Sequence, residues 1–366
     1  MKKVLCVFGT RPEAIKMAPL VSELKKNKNL KTIVCVTAQH RDMLDSVLKI
    51  FNISPDFDLN IMKTDQSLEY ITTKVISKIT DIMQKLKPDL VLVHGDTTTA
   101  MATSIAAFYQ HIKVGHVEAG LRTYNINAPF PEEINRQVID KISTYLFAPT
   151  KLNEKNLKSE GLNKNQKIVV TGNTIIDALK TTVSRTYHNK NLNPADNKRT
   201  ILVTAHRREN FGLPLQNIAN ALKQLADDFD DVEIIYPIHP NPVVKNTVKN
   251  ILSGHKRISL IEPLDVIDFH NFINHSYFVM TDSGGIQEEA PSLNKPVLVL
   301  RDETERLEGV KAGTLRLIGT NTNNIYREAS RLLTDKNYYN KIAKIKNPYG
   351  DGLASKRIVK FITKNI

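Results

Sequence analysis

The stretch 3-KVLCVFGTRPEAIKMAPLVSELKK-26 hands an apolar run over to a helical pattern within a few residues. Val4 to Phe8 is long enough for a buried strand and too short for a membrane span. Gly9 allows a tight turn and Thr10 is a residue type that caps helices. Pro12 suits a first helical turn, where its missing N–H costs nothing. Ile15, Met17, Ala18, Val21 and Leu24 then continue at helical spacing. Arg11 stands at the start of this helix. Unpaired N–H groups beside a guanidinium make a place for an anion, most often phosphate. The competing reading is an ordinary strand-to-helix turn with a solvated arginine.

The same grammar recurs along the chain. Strand-like runs are read at Val4–Phe8, Thr32–Thr37, Leu90–Val93, Lys113–Val117, Tyr145–Ala148 and Ile168–Thr171. A second series follows at Thr200–Thr204, Val232–Ile238, Ile258–Ile261, Tyr277–Thr281, Pro296–Leu300 and Leu315–Ile318. Most are continuous apolar runs separated by helical stretches, as parallel strands covered on both faces require. The expected fold is therefore α/β, with two doubly wound, Rossmann-like domains facing a central cleft. The reading divides the chain into an N-terminal domain, 1–171, a C-terminal domain, 172–351, and a last amphipathic helix, 352–366, that packs back on the first domain.

With 366 residues, each domain is long enough to bury a core. The formal charge of +13 is spread over lysine-rich loops and helix ends rather than gathered into one stripe with aromatics. That pattern favours a basic surface that attracts anionic substrates over a nucleic-acid interface. Cys6 and Cys35 lie in strand-like runs without metal-ligand spacing and read as buried apolar residues of a reducing compartment. No apolar run reaches membrane length and the first residues lack a signal-peptide pattern, so the expectation is a cytoplasmic protein with no membrane insertion.

The residues just after each strand are polar. "VLVHGDTTTA" places Asp96, and "VGHVEAGLRT" places Glu118. In "PFPEEINRQVID", Glu132, Arg136 and Asp140 recur every fourth residue and share one helix face. If the strands before Asp96 and Glu118 are neighbours, two close carboxylates push one pKa upward, which suits acid–base work. "TAHRREN" brings His206 to a strand end, and "IIYPIHPNP" brings His239, which a rigid proline-flanked loop explains equally well. In "YFVMTDSGGIQEEA", Ser283, Gly284 and Gly285 let the backbone approach a phosphate at a helix start, and Glu288 or Glu289 can accept from sugar hydroxyls. The spacing is neither a Walker A motif nor a dinucleotide fingerprint.

In their order along the chain, "FGTRPEAIKMAPL", "TAQHR", "VHGDTTTA", "VGHVEAGLRT", "PFPEEINRQVID", "TGNTIIDAL", "TAHRREN" and "TDSGGIQEEAP" resemble the non-hydrolysing UDP-N-acetylglucosamine 2-epimerases over nearly the whole sequence. The resemblance implies a two-domain fold of the glycosyltransferase B type. It also implies reversible epimerisation at carbon 2 of UDP-N-acetylglucosamine to UDP-N-acetylmannosamine, by elimination of UDP to 2-acetamidoglucal and re-addition. No redox cofactor and no metal is implied. Asp96, Glu118 and Glu132 match the family's catalytic carboxylates, and His206 a further active-site position. Arg11, Lys16 and Arg136 match substrate-binding residues. Ser283, Gly284 and Gly285 match the diphosphate turn, and Glu289 the ribose contact. A homodimer and a role in cell-surface polysaccharide synthesis are further implications.

Many bacterial members bind a second UDP-N-acetylglucosamine as activator, and Gln39 and His239 match that second site. Asp42 and Asp65, however, stand where such members often carry glutamine and arginine, and losing an arginine beside a diphosphate weakens such a site. "ETERLEGVKAGT" also departs from the commoner "TERPEAVEAGT" at Leu307, Gly309 and Lys311. The rival readings are a glycosyltransferase using a UDP-sugar donor, a hydrolysing epimerase that releases N-acetylmannosamine, and a catalytically silent UDP-sugar-binding regulator.

Overall fold

The computed structural model describes residues 1–366 apart from His40, Thr64 and residues 193–197, and at Asp42 and Met43 it describes the backbone alone. The first sheet contains β1 (Lys2–Phe8), β2 (Leu30–Val36), β3 (Phe57–Asp58), β4 (Leu90–His94), β5 (Lys113–Val117), β6 (Tyr145–Ala148) and β7 (Lys167–Val170). The second contains β8 (Arg199–Thr204), β9 (Val232–Pro237), β10 (Ile258–Ile261), β11 (Phe278–Thr281), β12 (Val297–Val299) and β13 (Leu315–Leu317). The strand pairs are parallel, as in Val4↔Leu90 and Ile201↔Phe278. The apolar runs foresaw twelve of these strands. The two-residue β3 was missed, because Phe57–Asp58 carries no apolar run; it pairs with Cys35 and Val36, Arg41 holds Asp58, and Phe57 packs on the core.

The sheet orders are β3-β2-β1-β4-β5-β6-β7 and β10-β9-β8-β11-β12-β13. Six strands of each sheet thus follow one doubly wound order, which reverses between β1 and β4 and again between β8 and β11. At such a switch point the helices leave on opposite faces and open a crevice beyond the carboxyl ends of the strands.

Alternation along the central strands builds a core on both faces. Val4, Cys6 and Phe8 pack on one side with Met17 and Leu20, while Leu5 and Val7 pack on the other with Val75 and Ile79. Cys6 and Cys35 are buried free thiols, and burial pushes each up to about 12. Among the described residues no helix is long and apolar enough to cross a membrane.

The chain forms two compact units, Met1–Ala178 with Tyr349–Ile366, and Leu179–Pro348. The sequence reading sets these divisions at 171/172 and 351/352. The helix Thr174–Thr182 runs across the first division, and its Ile175 and Ile176 pack with Ile15 and Phe51 of the first unit. The last helix, Ala354–Asn365, joins the same unit through Ile358, Val359 and Ile362. Full burial of side chains of this size contributes roughly 1.5–3 kcal/mol each. Its first turn is capped from a distance: Asp177 accepts from the N–H groups of Ala354 and Ser355.

Candidate active site

In the first unit, β1 runs into Gly9 and the helix Arg11–Lys25, which carries Arg11 at its start and Lys16 in its second turn. A Cβ at Gly9 would lie 2.0 Å from Thr37 Oγ1, so this glycine is required by close packing rather than by a left-handed φ. Thr10 is the N-cap, and Glu13 reaches back to accept from the N–H groups of Gly9 and Thr10 at 3.0 and 2.9 Å. The other Glu13 oxygen accepts from Thr97 Oγ1 at 2.7 Å, tying the turn after β1 to the turn after β4. Burial pushes the Glu13 carboxyl up to about 7 in spite of these donors.

Glu118 follows β5 directly. Its Oε2 takes Lys16 Nζ at 2.6 Å and Asn173 Nδ2 at 2.7 Å. The residue is 8% exposed, with φ at +71°. A non-glycine in that region costs on the order of 1–3 kcal/mol and persists where the surroundings over-determine it. Burial opposes the charge on Glu118, but Lys16, followed by His94, outweighs it and holds the carboxyl well below its ordinary value. The expected upward push between neighbouring carboxylates is therefore corrected for Glu118, because β4 and β5 are neighbours but each carboxylate has its own cation.

Asp96, after β4, is paired to Arg136 Nη2 at 2.7 Å. Asn135 donates to the Asp96 carbonyl at 2.9 Å. Arg136 belongs to the helix Glu132–Ile142, as its spacing foretold, but the three acidic residues of that helix have different surroundings. Glu133 is fully buried and accepts from the N–H groups of Thr123 and Tyr124. Asp140 pairs with His116 at 2.6 Å and Arg122 at 2.7 Å. Glu132 is half-buried, and among the described residues its carboxylate takes no ion pair or hydrogen bond. Glu132 is thus the one carboxylate of this helix left for a ligand.

Three residues here were missed by sequence reasoning. His94, the last residue of β4, is buried within an apolar run, and its Nε2 lies 3.6 Å from Glu118 Oε2. Burial holds its imidazole below the ordinary histidine value against the pull of Glu118. Asn173 lies in the quoted "TGN" but carried no role. Glu13 was legible from the Thr10-x-x-Glu13 spacing of a capping box.

In the second unit, β8 and β11 meet at Asp282, which is fully buried. Its Oδ2 accepts from the N–H groups of His206 and Arg207, both at 2.8 Å, and from Asn210 Nδ2 at 3.0 Å. This orients the His206 turn. His206 stacks on His239, with centroids 5.1 Å apart and planes 13° apart. Burial, His239 and Arg207 lower the His206 pKa against the attraction of Asp282.

Ser283, Gly284 and Gly285 follow β11 and lead into a single helical turn, Ile286–Glu289, which tightens into a 3₁₀ turn at Ala290–Leu293. A Cβ on Gly284 would lie 2.9 Å from Glu305 Oε1 and 3.7 Å from both Arg207 Nη2 and Arg306 Nη2. Small residues and two guanidiniums at that spacing suit an anionic ligand. Burial disfavours the charge on Glu305, yet Arg306, Arg301 and Arg207 together bring it down to about 2. Glu288 is buried and committed to Arg306 at 2.6 Å. Glu289 faces His270 Nε2 at 3.5 Å, and His270 in turn bonds Thr182 through Nδ1. Of the two glutamates left open by the sequence, Glu289 is the one without an arginine partner in these contacts.

Gln39 belongs to the first unit, where it accepts from Thr99 Oγ1 at 3.0 Å; His239 belongs to the second. Asp65 is exposed with φ at +51°, and the side chain of Asp42 lies outside the described residues. The altered segment forms a short helix, Leu307–Ala312. A Cβ at Gly309 would meet Leu315 Cδ1 at 2.5 Å, so an alanine there requires the Leu315 side chain to shift.

A family model described as UDP-N-acetylglucosamine 2-epimerase matches residues 22–363. The UDP-N-acetylglucosamine 2-epimerase of Bacillus subtilis (strain 168) is 57% identical over 357 residues, covering 98% of this chain and 94% of that protein. The crystal structure of a putative UDP-N-acetylglucosamine 2-epimerase from Listeria monocytogenes is 53% identical with a TM-score of 0.95, covering 100% of this chain and 96% of that one. The structure of the Neisseria meningitidis UDP-GlcNAc 2-epimerase bound to UDP-GlcNAc is 51% identical with a TM-score of 0.90, covering 99% of this chain and 100% of that one.

Proposed function

The chain belongs to the UDP-N-acetylglucosamine 2-epimerase family, an isomerase family with the two-domain α/β fold of the glycosyltransferase B type, and we propose that it inverts carbon 2 of UDP-N-acetylglucosamine by eliminating UDP and adding it back. Carbon 2 carries no acidic proton in the sugar, so direct removal of that proton is not a workable route. Loss of UDP across carbons 1 and 2 gives 2-acetamidoglucal, and re-addition with proton delivery to the opposite face gives UDP-N-acetylmannosamine.

The observation that carries this reading is the pairing at two adjacent strand ends: Glu118 with Lys16 and Asn173, and Asp96 with Arg136. The ionised, buried Glu118 carboxylate is placed to take a proton, and Lys16 and Arg136 are the groups an anionic substrate competes for. Asp96 and Glu118 do most of the proton transfer in this scheme, with Glu132 as a third carboxylate. Arg11, Lys16 and Arg136 meet the negative charge of the substrate. Ser283, Gly284 and Gly285 cradle a diphosphate, Glu289 accepts from the ribose, and His206 with its neighbouring arginines stabilises UDP as it leaves. Charge that develops on a departing diphosphate is best met by groups already in place. A homodimeric assembly and a biosynthetic place ahead of cell-surface polysaccharides belong to the same reading.

The test is proton NMR of the purified protein with UDP-N-acetylglucosamine in deuterated water, without NAD or an acceptor sugar. UDP-N-acetylmannosamine should accumulate with deuterium at carbon 2. Free N-acetylmannosamine and UDP would identify a hydrolysing enzyme. No conversion would remove the epimerase reading and favour a transferase or a UDP-sugar-binding regulator.

A further inference from the structure

His94 is 3% exposed, and its Nε2 has no hydrogen-bond partner among the described residues. Buried polar groups are nearly always satisfied, so an unpaired one beside a reactive carboxylate calls for a reason. The nearest acceptor is Oε2 of Glu118, 3.6 Å away and already holding Lys16 and Asn173. A third donor adds little while both are in place.

Binding changes that balance. Lys16 has a second suitor in the diphosphate of the substrate, and when it turns there Oε2 keeps only Asn173. The space beside Oε2 is then open to the imidazole, whose closure needs a movement of less than about 1 Å to reach hydrogen-bond distance. The charged and titratable groups facing His94 are Glu118, Lys16 and His116. His116 is itself occupied on both nitrogens, by Asp140 at 2.6 Å and by the Gly95 carbonyl at 2.7 Å, so it does not compete.

We propose that His94 is a positioning residue for the epimerisation, donating from Nε2 to Glu118 Oε2 when an anionic substrate draws Lys16 away. The inference rests on the functional reading above. Its consequence is specific to the enzyme–substrate complex. In the free enzyme Lys16, the larger of the two influences that keep Glu118 ionised, is in place, so loss of His94 is felt less there. In the complex, loss of the His94 donor leaves Glu118 easier to protonate.

The experiment compares pH profiles of epimerisation for the wild type, His94→Phe and His94→Gln. The acid limb of kcat reports the complex and that of kcat/KM the free enzyme. His94→Phe should lower kcat by about tenfold or more and move its acid limb upward by about one pH unit, with the limb of kcat/KM moving less than that of kcat. His94→Gln, which keeps an N–H donor, should return the kcat limb toward the wild-type position. An unmoved kcat limb in His94→Phe, whatever the loss of amplitude, overturns the proposal.

If His94→Phe does not fold, the wild type supplies the measurement. On titration with UDP, the Nε2 proton of His94 should move downfield in the imidazole NMR spectrum, and an unchanged resonance at saturation overturns the proposal. Wild-type enzyme that fails to turn over at every pH would instead overturn the functional reading itself.

Discussion

The two switch points share a topology and differ in chemistry. Beyond β1 and β4 the first unit gathers carboxylates, each with its own cation: Glu118 with Lys16 and Asp96 with Arg136. Beyond β8 and β11 the second unit buries its carboxylate, Asp282, under backbone N–H groups, and leaves Gly284 beside Arg207 and Arg306. The same strand order thus ends once in carboxylates paired with cations and once in a glycine turn beside two arginines. What separates them is the residue at each strand end, because the sheet fixes where a side chain starts and not what it does.

This contrast can be broken most sharply at Asp96. Asp96→Asn removes the charge but keeps the shape, and turnover should fall by about 10²–10⁴-fold while calorimetry still detects UDP binding. Near-normal turnover would detach Asp96 from the chemistry. Gly284→Ala acts on the other switch point. The added Cβ crowds Glu305 and the guanidiniums, so UDP should bind about tenfold more weakly while kcat at saturating substrate stays within about threefold. A fall in kcat with unchanged affinity would erase the division of labour.

A third test concerns stability. The folded pKa of Glu13, about 7, lies above the ordinary value of 4.5, so its protonated form favours folding. The stability it contributes is full below pH 4.5 and is lost as pH rises through 7. Glu13→Gln mimics the protonated acid, so its stability relative to wild type should be greater at pH 8 than at pH 5, by roughly 1–3 kcal/mol in denaturant titrations. A difference independent of pH would mean that Glu13 titrates normally. The smallest effect is expected at the histidine stack: His239→Phe keeps a ring against His206 but removes the electrostatic influence that lowers the His206 pKa, so the His206 titration followed by NMR should move upward. A downward movement would show that His239 supports the charged form.

Much of this could be read from the sequence because buried parallel strands declare themselves. Val4–Phe8, Leu90–Val93 and Ile201–Val203 are covered on both faces and apolar throughout, whereas β3, with two residues and a charged one among them, leaves no such mark. The carboxylates at Asp96 and Glu118 stood out because polar residues directly after apolar runs lie at the ligand edge. His94 also follows its apolar run directly, as the last residue of β4, but it resembles a core histidine until its neighbours are known. In the helix Glu132–Ile142 the period of four was correct, yet period alone does not separate Glu132, without a partner among the described residues, from Glu133, buried under Thr123 and Tyr124.

By itself, then, the sequence determined the alternation of strands and helices, the two doubly wound sheets and the positions of the polar strand ends, because these depend on local pattern and on burial along single segments. Tertiary structure alone decided which charge meets which. Lys16 reaches Glu118 across 102 residues, Asn173 reaches it across 55, and Arg136 reaches Asp96 across 40. Such pairings follow from strand order and from the close approach of turns such as Gly9 on Thr37, and a carboxylate acquires its protonation state only once those partners have arrived.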